Sequence, residues 1–202
     1  MVDVPLSDSK FRKQTGVLSA DEGIFPTTAE GLARLKPVKE GGTITFGGQT
    51  HPADGNAGAI VTTRERAREV ATDRGIEIEV LGFGMARVEP GFMPTAPAPA
   101  ALNALKSAGL AMGQVDAVKT HNPFTVNDIA FARDTGFVLE KMNNFGSPII
   151  WGHPQGPTGL RAIIELIEEL VLRGGGLGVF TGCAAGDTGY ATVLRVSDSR
   201  KA

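Results

Sequence analysis

The sequence predicts an α/β layered domain: a mixed sheet covered by helices. Three observations predict it. Runs of strand length rich in β-branched residues recur at residues 59–63, 76–88, 115–119, 177–181 and 190–196, and helical patterns alternate with them. Residues 160–173 carry apolar side chains at 160, 163, 164, 167, 170 and 171, the 3.6-residue period of an amphipathic helix. Glycine makes up 27 of 202 residues, nearly double the usual share of about 7%, and it clusters between these segments without period.

Each element has its own local reason. Residues 1–38 are mixed and polar, so residues 1–40 read as an arm or loop region and 41–202 as the domain. Within the arm, Thr27, Thr28 and Glu30 form a helix-start pattern for a short helix through Ala33 or Leu35. A short strand is expected at 43–46 and a buried strand at 59–63. Residues 64–74 are charged and helical, ending at Gly75. Residues 76–88 alternate as a strand interrupted by Gly82 and Gly84. The proline-rich run 90–99 leads directly into a helical pattern at 100–108, so it reads as a structured loop rather than a hinge.

Residues 115–119 read as a strand running into His121-Asn122-Pro123-Phe124, followed by a helix whose start carries Thr125 and Asp128 in a capping-box pattern. A glycine- and asparagine-containing loop spans 143–156. In the helix at 160–173, Glu165, Glu168 and Glu169 are expected to face outward, and Gly174 caps it. Strands at 177–181 and 190–196 are joined through 183–189, where Asp187-Thr188-Gly189 suits a tight turn.

Composition narrows the function classes. Twenty basic against 22 acidic residues give a formal net charge of -2, with no electrostatic footprint for nucleic acid or anionic lipid. A hydrophobic share of 42% is enough for a packed core. A single cysteine allows no intrachain disulfide, no apolar run is long enough to span a membrane, and the first 15 residues hold no apolar signal core. A cytoplasmic protein that binds neither nucleic acid nor membrane is the expectation.

Three segments lie where strands end or helices begin and carry reactive side chains. Gly152 and Gly156 let the chain turn sharply around His153 just before the strongest helix, where an imidazole can serve as base or hydrogen-bond donor. Cys183 ends a strand and can act as nucleophile or acid/base if its pKa is tuned. His121 lies between strand and helix, placed to hold a water or polarise a carbonyl. Taken singly, each has a plainer role: a turn histidine satisfying backbone groups, a buried structural thiol, a loop histidine. Three histidines (His51, His121, His153) and one cysteine lack zinc-ligand spacing, so no metal is expected. There is no Walker loop, no G-x-S-x-G elbow, and Gly82-Phe83-Gly84 lacks the third glycine of a dinucleotide fingerprint.

Together the ordered trio resembles the C-terminal half of a thiolase. Gly152-His153-Pro154, with Gly156 and Gly159, is similar to the family's Gly-His-Pro loop, and Cys183 follows thirty residues later, where thiolases carry their second catalytic cysteine. His121-Asn122-Pro123-Phe124 takes the place of the usual Asn-Glu-Ala-Phe. A histidine in its first position resembles the sterol-carrier-protein-X branch. The run 48–55, with Asp54-Gly55, Pro97 and Pro99 before the helix at 100–109, and Asn143 ten positions before His153 extend the resemblance from about Thr27 to Val196.

The resemblance implies a thiolase-like layered fold and acyl-CoA chemistry: Claisen condensation or CoA-dependent thiolysis of a 3-ketoacyl-CoA. It implies His153 as the base toward a nucleophilic cysteine, Cys183 as the acid/base at the α-carbon, and His121 as a donor or water holder at the thioester oxygen. The Ala185 backbone N–H would line an oxyanion hole, where most relatives have Cys-x-Gly and this chain has Cys-Ala-Ala-Gly. Phe124 would pack along the pantetheine arm, with Thr50 hydrogen-bonding near it. Coenzyme A and its thioesters enter as substrates, with no permanently bound cofactor. Thiolases contain two similar halves, and the nucleophilic cysteine belongs to the first, so the resemblance implies a partner chain of equal or larger size carrying it, in a hetero-oligomer such as α2β2. Met1 and the polar residues after it favour a separate subunit over a truncated enzyme. Relatives in this branch sometimes bind a small zinc-ribbon/OB-fold protein, which adds that partner to the expectations. Two other readings stand beside it: a non-catalytic scaffold of a thiolase-like complex, and a thiolase-fold lyase cleaving by retro-aldol chemistry.

Overall fold

The computed structural model describes residues 3–21 and 23–200. A four-stranded mixed sheet organises the chain from Ile76 onward, and the described residues before it contribute no strand to that sheet. The N-terminal part holds an exposed hairpin of β1 (Val4–Ser7) and β2 (Gln14–Leu18) and two short helices, α1 (Ala29–Ala33) and α2 (Arg64–Val70). The helix start expected near Thr28 is present: the Thr28 hydroxyl accepts the Gly31 N–H at 3.0 Å.

Two expected strands are absent. Residues 43–46 form only an isolated bridge from Thr45 to Pro37, then a 3-10 turn at Phe46–Gly48. Residues 59–63 form neither helix nor strand and are exposed, Ile60 at 82% and Val61 at 84%. Their β-branched composition favours a strand, but a strand also needs a neighbouring ladder, and no strand among the described residues lies beside this segment. The helix expected over 64–74 stops at Val70, with Ala71 already extended.

The sheet consists of β3 (Ile76–Arg87), β4 (Ala117–His121), β5 (Gly175–Ala184) and β6 (Thr188–Asp198), in the order β3-β6-β5-β4. β4 and β5 are parallel, and the other two pairs are antiparallel. One face is covered by α3 (Pro97–Ser107), which lays Ala100, Ala101, Ala104 and Leu105 on Val118, Val179, Ala191 and Val193. α4 (Thr125–Thr135) adds Phe131 to this core. The packing is close because the helix face is alanine and the strand opposite it is glycine. A Cβ on Gly84 would lie 2.3 Å from the Ala100 carbonyl oxygen. α3 begins at Pro97, three residues before the expected start, with prolines in its first turn where no intrahelical N–H is needed. After the four-residue α5 (Pro148–Trp151), the long helix α6 (Thr158–Arg173) covers the other face through Ala162, Leu166 and Leu170 on Ala117, Phe180, Leu194 and Val196.

Three side chains depart from the expected pattern, the first being Glu165, which is half-buried with its carboxylate 3.6 Å from the buried Lys119 ammonium. Glu169 is buried, not outward: it bonds the Asn144 amide at 3.0 Å and pairs with Arg173. Asp128 caps nothing. The N-cap of α4 is Phe124, without a side-chain bond, and Asp128 turns instead to Thr120, Asn122 and Asn143. Among the described residues no helix is long and apolar enough to cross a membrane.

Candidate active site

The parallel pairing of β4 with β5 sets two carboxyl-terminal strand ends side by side, the place where open α/β sheets gather their ligands. His121 is the last residue of β4 and stands in register with Gly182, so Cys183 follows directly beside it. His153 arrives from the loop between α5 and α6. Gly152 permits the approach with φ +87°, and a Cβ there would lie 2.7 Å from Ala53. The His153 N–H donates to the His51 carbonyl at 2.8 Å, which fixes the loop's backbone.

The side chains form a continuous chain of contacts. His153 Nδ1 lies 2.8 Å from Thr158 Oγ1, His153 Nε2 lies 3.1 Å from His121 Nε2, and His121 Nδ1 lies 3.9 Å from Cys183 Sγ. Counting protons gives this chain a direction. The Thr158 hydroxyl donates its one proton to the Pro154 carbonyl at 3.1 Å, so it accepts from His153 Nδ1–H. His153 Nε2 therefore carries a lone pair and accepts from His121 Nε2–H. His121 Nδ1 is then an acceptor facing the cysteine sulfur.

Burial sets the protonation states. It holds both imidazoles below their ordinary value. His121 falls to about 4, through desolvation first and the neighbouring His153 second. Burial raises the Cys183 thiol, against a lowering contribution from the Asn127 amide. Near neutral pH the site therefore rests as a thiol and two neutral imidazoles. This has a consequence for stability. Between the ordinary histidine value of 6.5 and about 4, an unfolded chain binds a proton at position 121 that the folded chain refuses. Stability is therefore greatest above pH 6.5, falls as the pH drops through that window, and stops falling from this source below about 4. Urea unfolding at a series of pH values should find this slope in the parent chain and a shallower one in His121→Asn.

A polar layer behind the site holds the loops. The Asp128 carboxylate receives Asn122 Nδ2 at 2.6 Å and Asn143 Nδ2 at 3.0 Å, together with the Thr120 hydroxyl. Its pKa is raised by burial against these three donors. Lys119 is 1% exposed, reaches Glu165 at 3.6 Å and donates to the Asn144 and Gly146 carbonyls, pinning the loop that leads to His153.

The three predicted reactive residues thus meet. His121 and Cys183, with Gln155, Thr158, Phe180 and Tyr190, line a cavity of about 160 Å³. The other expected residues lie around it rather than on its wall. Thr50 donates its hydroxyl to the Pro148 carbonyl and its N–H to the Pro123 carbonyl, tying three loops together. Phe124 is half-buried and bridges Gln49. Ala185 sits in the exposed turn after β5 and accepts from the Thr188 hydroxyl at 3.2 Å. Sequence reasoning did not single out Thr158, Asn127 or Lys119. Only Lys119 left a signal: a charge at an inward position of a short apolar strand. Among the described residues no group of three or more His, Cys, Asp or Glu side chains gathers to hold a metal ion.

Residues 76–196 match the family model for the thiolase C-terminal domain. An acetyl-CoA acetyltransferase of Syntrophomonas wolfei is 34% identical over 92% of this chain, and peroxisomal 3-ketoacyl-CoA thiolase B of Rattus norvegicus is 34% identical over 96%. Among solved structures, the Bacillus anthracis acetyl-CoA acetyltransferase matches 96% of this chain at TM-score 0.83 and 31% identity, and human mitochondrial 3-ketoacyl-CoA thiolase matches 89% at TM-score 0.77 and 30% identity. The chain spans about half the length of these relatives: 47% and 46% of the first two proteins and 49% and 46% of the two structures.

Proposed function

Because the chain belongs to the thiolase family, matching its C-terminal domain, we propose that it supplies one half of an acyl-CoA acyltransferase site, in which the nucleophilic cysteine belongs to a partner chain. The observation that carries this reading is the contact of His153, His121 and Cys183 beside one cavity. A non-catalytic scaffold needs neither the imidazole pair nor the thiol aligned with it. The resemblance of His121-Asn122-Pro123-Phe124 to the sterol-carrier-protein-X branch is part of the same reading.

In this mechanism the partner's thiol attacks the first acyl group, and its proton passes to His153 Nε2 and then to the departing CoA thiolate. Cys183 works at the α-carbon of the second thioester. In condensation its thiolate takes the α-proton, and the resulting enolate carbon attacks the acyl-cysteine carbonyl. In thiolysis its thiol protonates the enolate that leaves. The buried thiol already rests in the protonated form that the second direction needs. A water held by His121 and the Ala185 N–H are the donors assigned to the two thioester oxygens as charge develops there. Phe124 and Thr50 are assigned to the pantetheine side, Thr50 through the loop junction it holds. CoA and its thioesters are substrates, and no resident cofactor is required.

Unpaired apolar surface supports a partner in an assembly such as α2β2. Ile60 and Val61 stand exposed in a β-branched run without a ladder, and β3 presents a row of exposed apolar side chains. The test is 3-ketoacyl-CoA cleavage by this chain alone and mixed with a thiolase N-terminal half, each with and without free CoA. The expected result is CoA-dependent cleavage only in the mixture. Cleavage without CoA would favour the retro-aldol reading, and cleavage by the chain alone would make Cys183 a nucleophile.

A further inference from the structure

α4 places one polar side chain where an apolar one would be expected. Asn127 is 1% exposed, its Nδ2 donates to Cys183 Sγ at 3.5 Å, and its Oδ1 is buried without a partner. A buried amide oxygen left unpaired is destabilising, so a leucine of similar shape would serve the core better. The compensating feature is the direction of the proton chain. The sulfur accepts from Asn127 on one side and faces the lone pair of His121 Nδ1 on the other.

We infer that Asn127 is a positioning residue: its N–H occupies a lone pair of Cys183 Sγ and turns the thiol proton toward His121 Nδ1, so that proton travel runs from Cys183 through His121 to His153. The S–H bond breaks with its electron pair left on sulfur, and the proton bonds to His121 Nδ1. The proton on His121 Nε2 crosses to His153 Nε2. The products are a thiolate held by the Asn127 amide, a neutral His121 in its other tautomer, and a His153 imidazolium still bonded to Thr158. The use of this relay rests on the acyl-transfer reading above, where His153 is neutral again once the departing CoA thiolate has taken the first proton. The hydrogen bond itself does not rest on that reading.

The titratable groups facing the sulfur are His121 from β4, with His153 behind it, and Tyr190 across the cavity from β6. From α4, Asp128 is turned away into Thr120, Asn122 and Asn143. Cys183 is the only cysteine in the sequence, so the rate of alkylation of the chain by iodoacetamide, followed across the neutral and alkaline range, reports on it alone. The variants are Asn127→Leu, which keeps the shape and removes the orphan oxygen, and Asn127→Ala as the second should leucine not fit. We expect the alkylation midpoint to rise by about one pH unit, a tenfold slower reaction below the midpoint, with the alkaline plateau rate retained. For Asn127→Leu the urea midpoint should be equal to or above that of the parent. A changed plateau with an unmoved midpoint would mean that Asn127 only packs, and a lowered midpoint would mean that its oxygen accepts the thiol proton. Either outcome overturns the proposal. Alkylation requires neither acyl-CoA nor a partner chain. A raised midpoint in a chain that no thiolase half activates would therefore support Asn127 and overturn the acyl-transfer reading, whereas an unmoved midpoint in an active assembly would do the reverse.

Discussion

Cys183→Ala should reduce CoA-dependent 3-ketoacyl-CoA cleavage by the assembled enzyme about a hundredfold to ten-thousandfold, the range for losing a positioned acid/base. Steady-state turnover measures the loss, and a rapid acyl-transfer burst measures what remains. In the proposed division of labour the partner's nucleophile gives its proton to His153, whose link to Thr158 at 2.8 Å does not involve the cysteine. Acylation from an acyl-CoA should therefore continue and stall at the acyl-enzyme, while carbon-carbon bond formation and cleavage stop. Loss of the burst as well would mean that Cys183 takes part in acylation and that the division of labour between the two halves is wrong. Unchanged turnover would leave the scaffold reading. Cys183→Ser should not restore the rate, because a hydroxyl beside neutral imidazoles is a far weaker acid than a thiol.

How far the sequence reveals this arrangement depends on whether a feature is local. The strand expected at 76–88 and the helix expected at 160–173 follow from periodicity and form at 76–87 and 158–173, whereas the short strand expected at 115–119 forms two residues later, at 117–121, and is buried on both faces. The trio of His121, His153 and Cys183 is legible because each residue ends a strand or opens a helix, and the parallel register of β4 on β5 then joins them. What depends on a distant partner is not legible. Residues 59–63 have strand composition and no strand beside them, so propensity without a ladder leaves them exposed. Thr125 and Asp128 fit a capping pattern, but three donors from Thr120, Asn122 and Asn143 hold the carboxylate elsewhere, and charge-assisted bonds outcompete a cap. Glu169 belongs by period to the flank of α6, and only the fold brings Asn144 against it. Asn127 acts on Cys183, fifty-six positions away, and nothing in its own neighbourhood marks it; Thr158 bonds His153 only five positions before it, but the loop geometry that brings the two together is set by the fold.

Charge on the exposed face of β3 should abolish assembly while leaving the chain folded. Ile78, Val80, Phe83 and Met85 are 47%, 60%, 58% and 53% exposed. Their cross-strand partners settle which way they point. Ile78 stands opposite Val196 and Val80 opposite Leu194, both in the core beneath α6, whereas Gly82 and Gly84 stand opposite Val193 and Ala191 beneath α3. The register shift between Val80 and Gly82 keeps Phe83 and Met85 on the α6 side, beside Thr192 and Tyr190. α6 covers β4, β5 and β6, and of β3 only Ile76 packs against that core, so the sheet face is finished at one end and open at the other. The free edge of β3 is less available than its face: Ser107 bonds both the N–H and the carbonyl of Phe83, and Asn103 donates to the Met85 carbonyl. An occupant would therefore dock on the face, and the proposed function assigns that place to the other half of the fold. Fully burying each such side chain is worth about 1.5–3 kcal/mol, and placing a carboxylate there reverses the sign. Val80→Asp with Phe83→Asp should leave the urea midpoint of the isolated chain within experimental error of the parent, since both side chains already face water. In the same variant, co-elution with the N-terminal half and CoA-dependent activity should fall at least a hundredfold in apparent affinity, about 2.7 kcal/mol. Undiminished assembly would place the partner elsewhere, on the unladdered segment around Ile60 and Val61, where the matching pair of substitutions would then carry the effect.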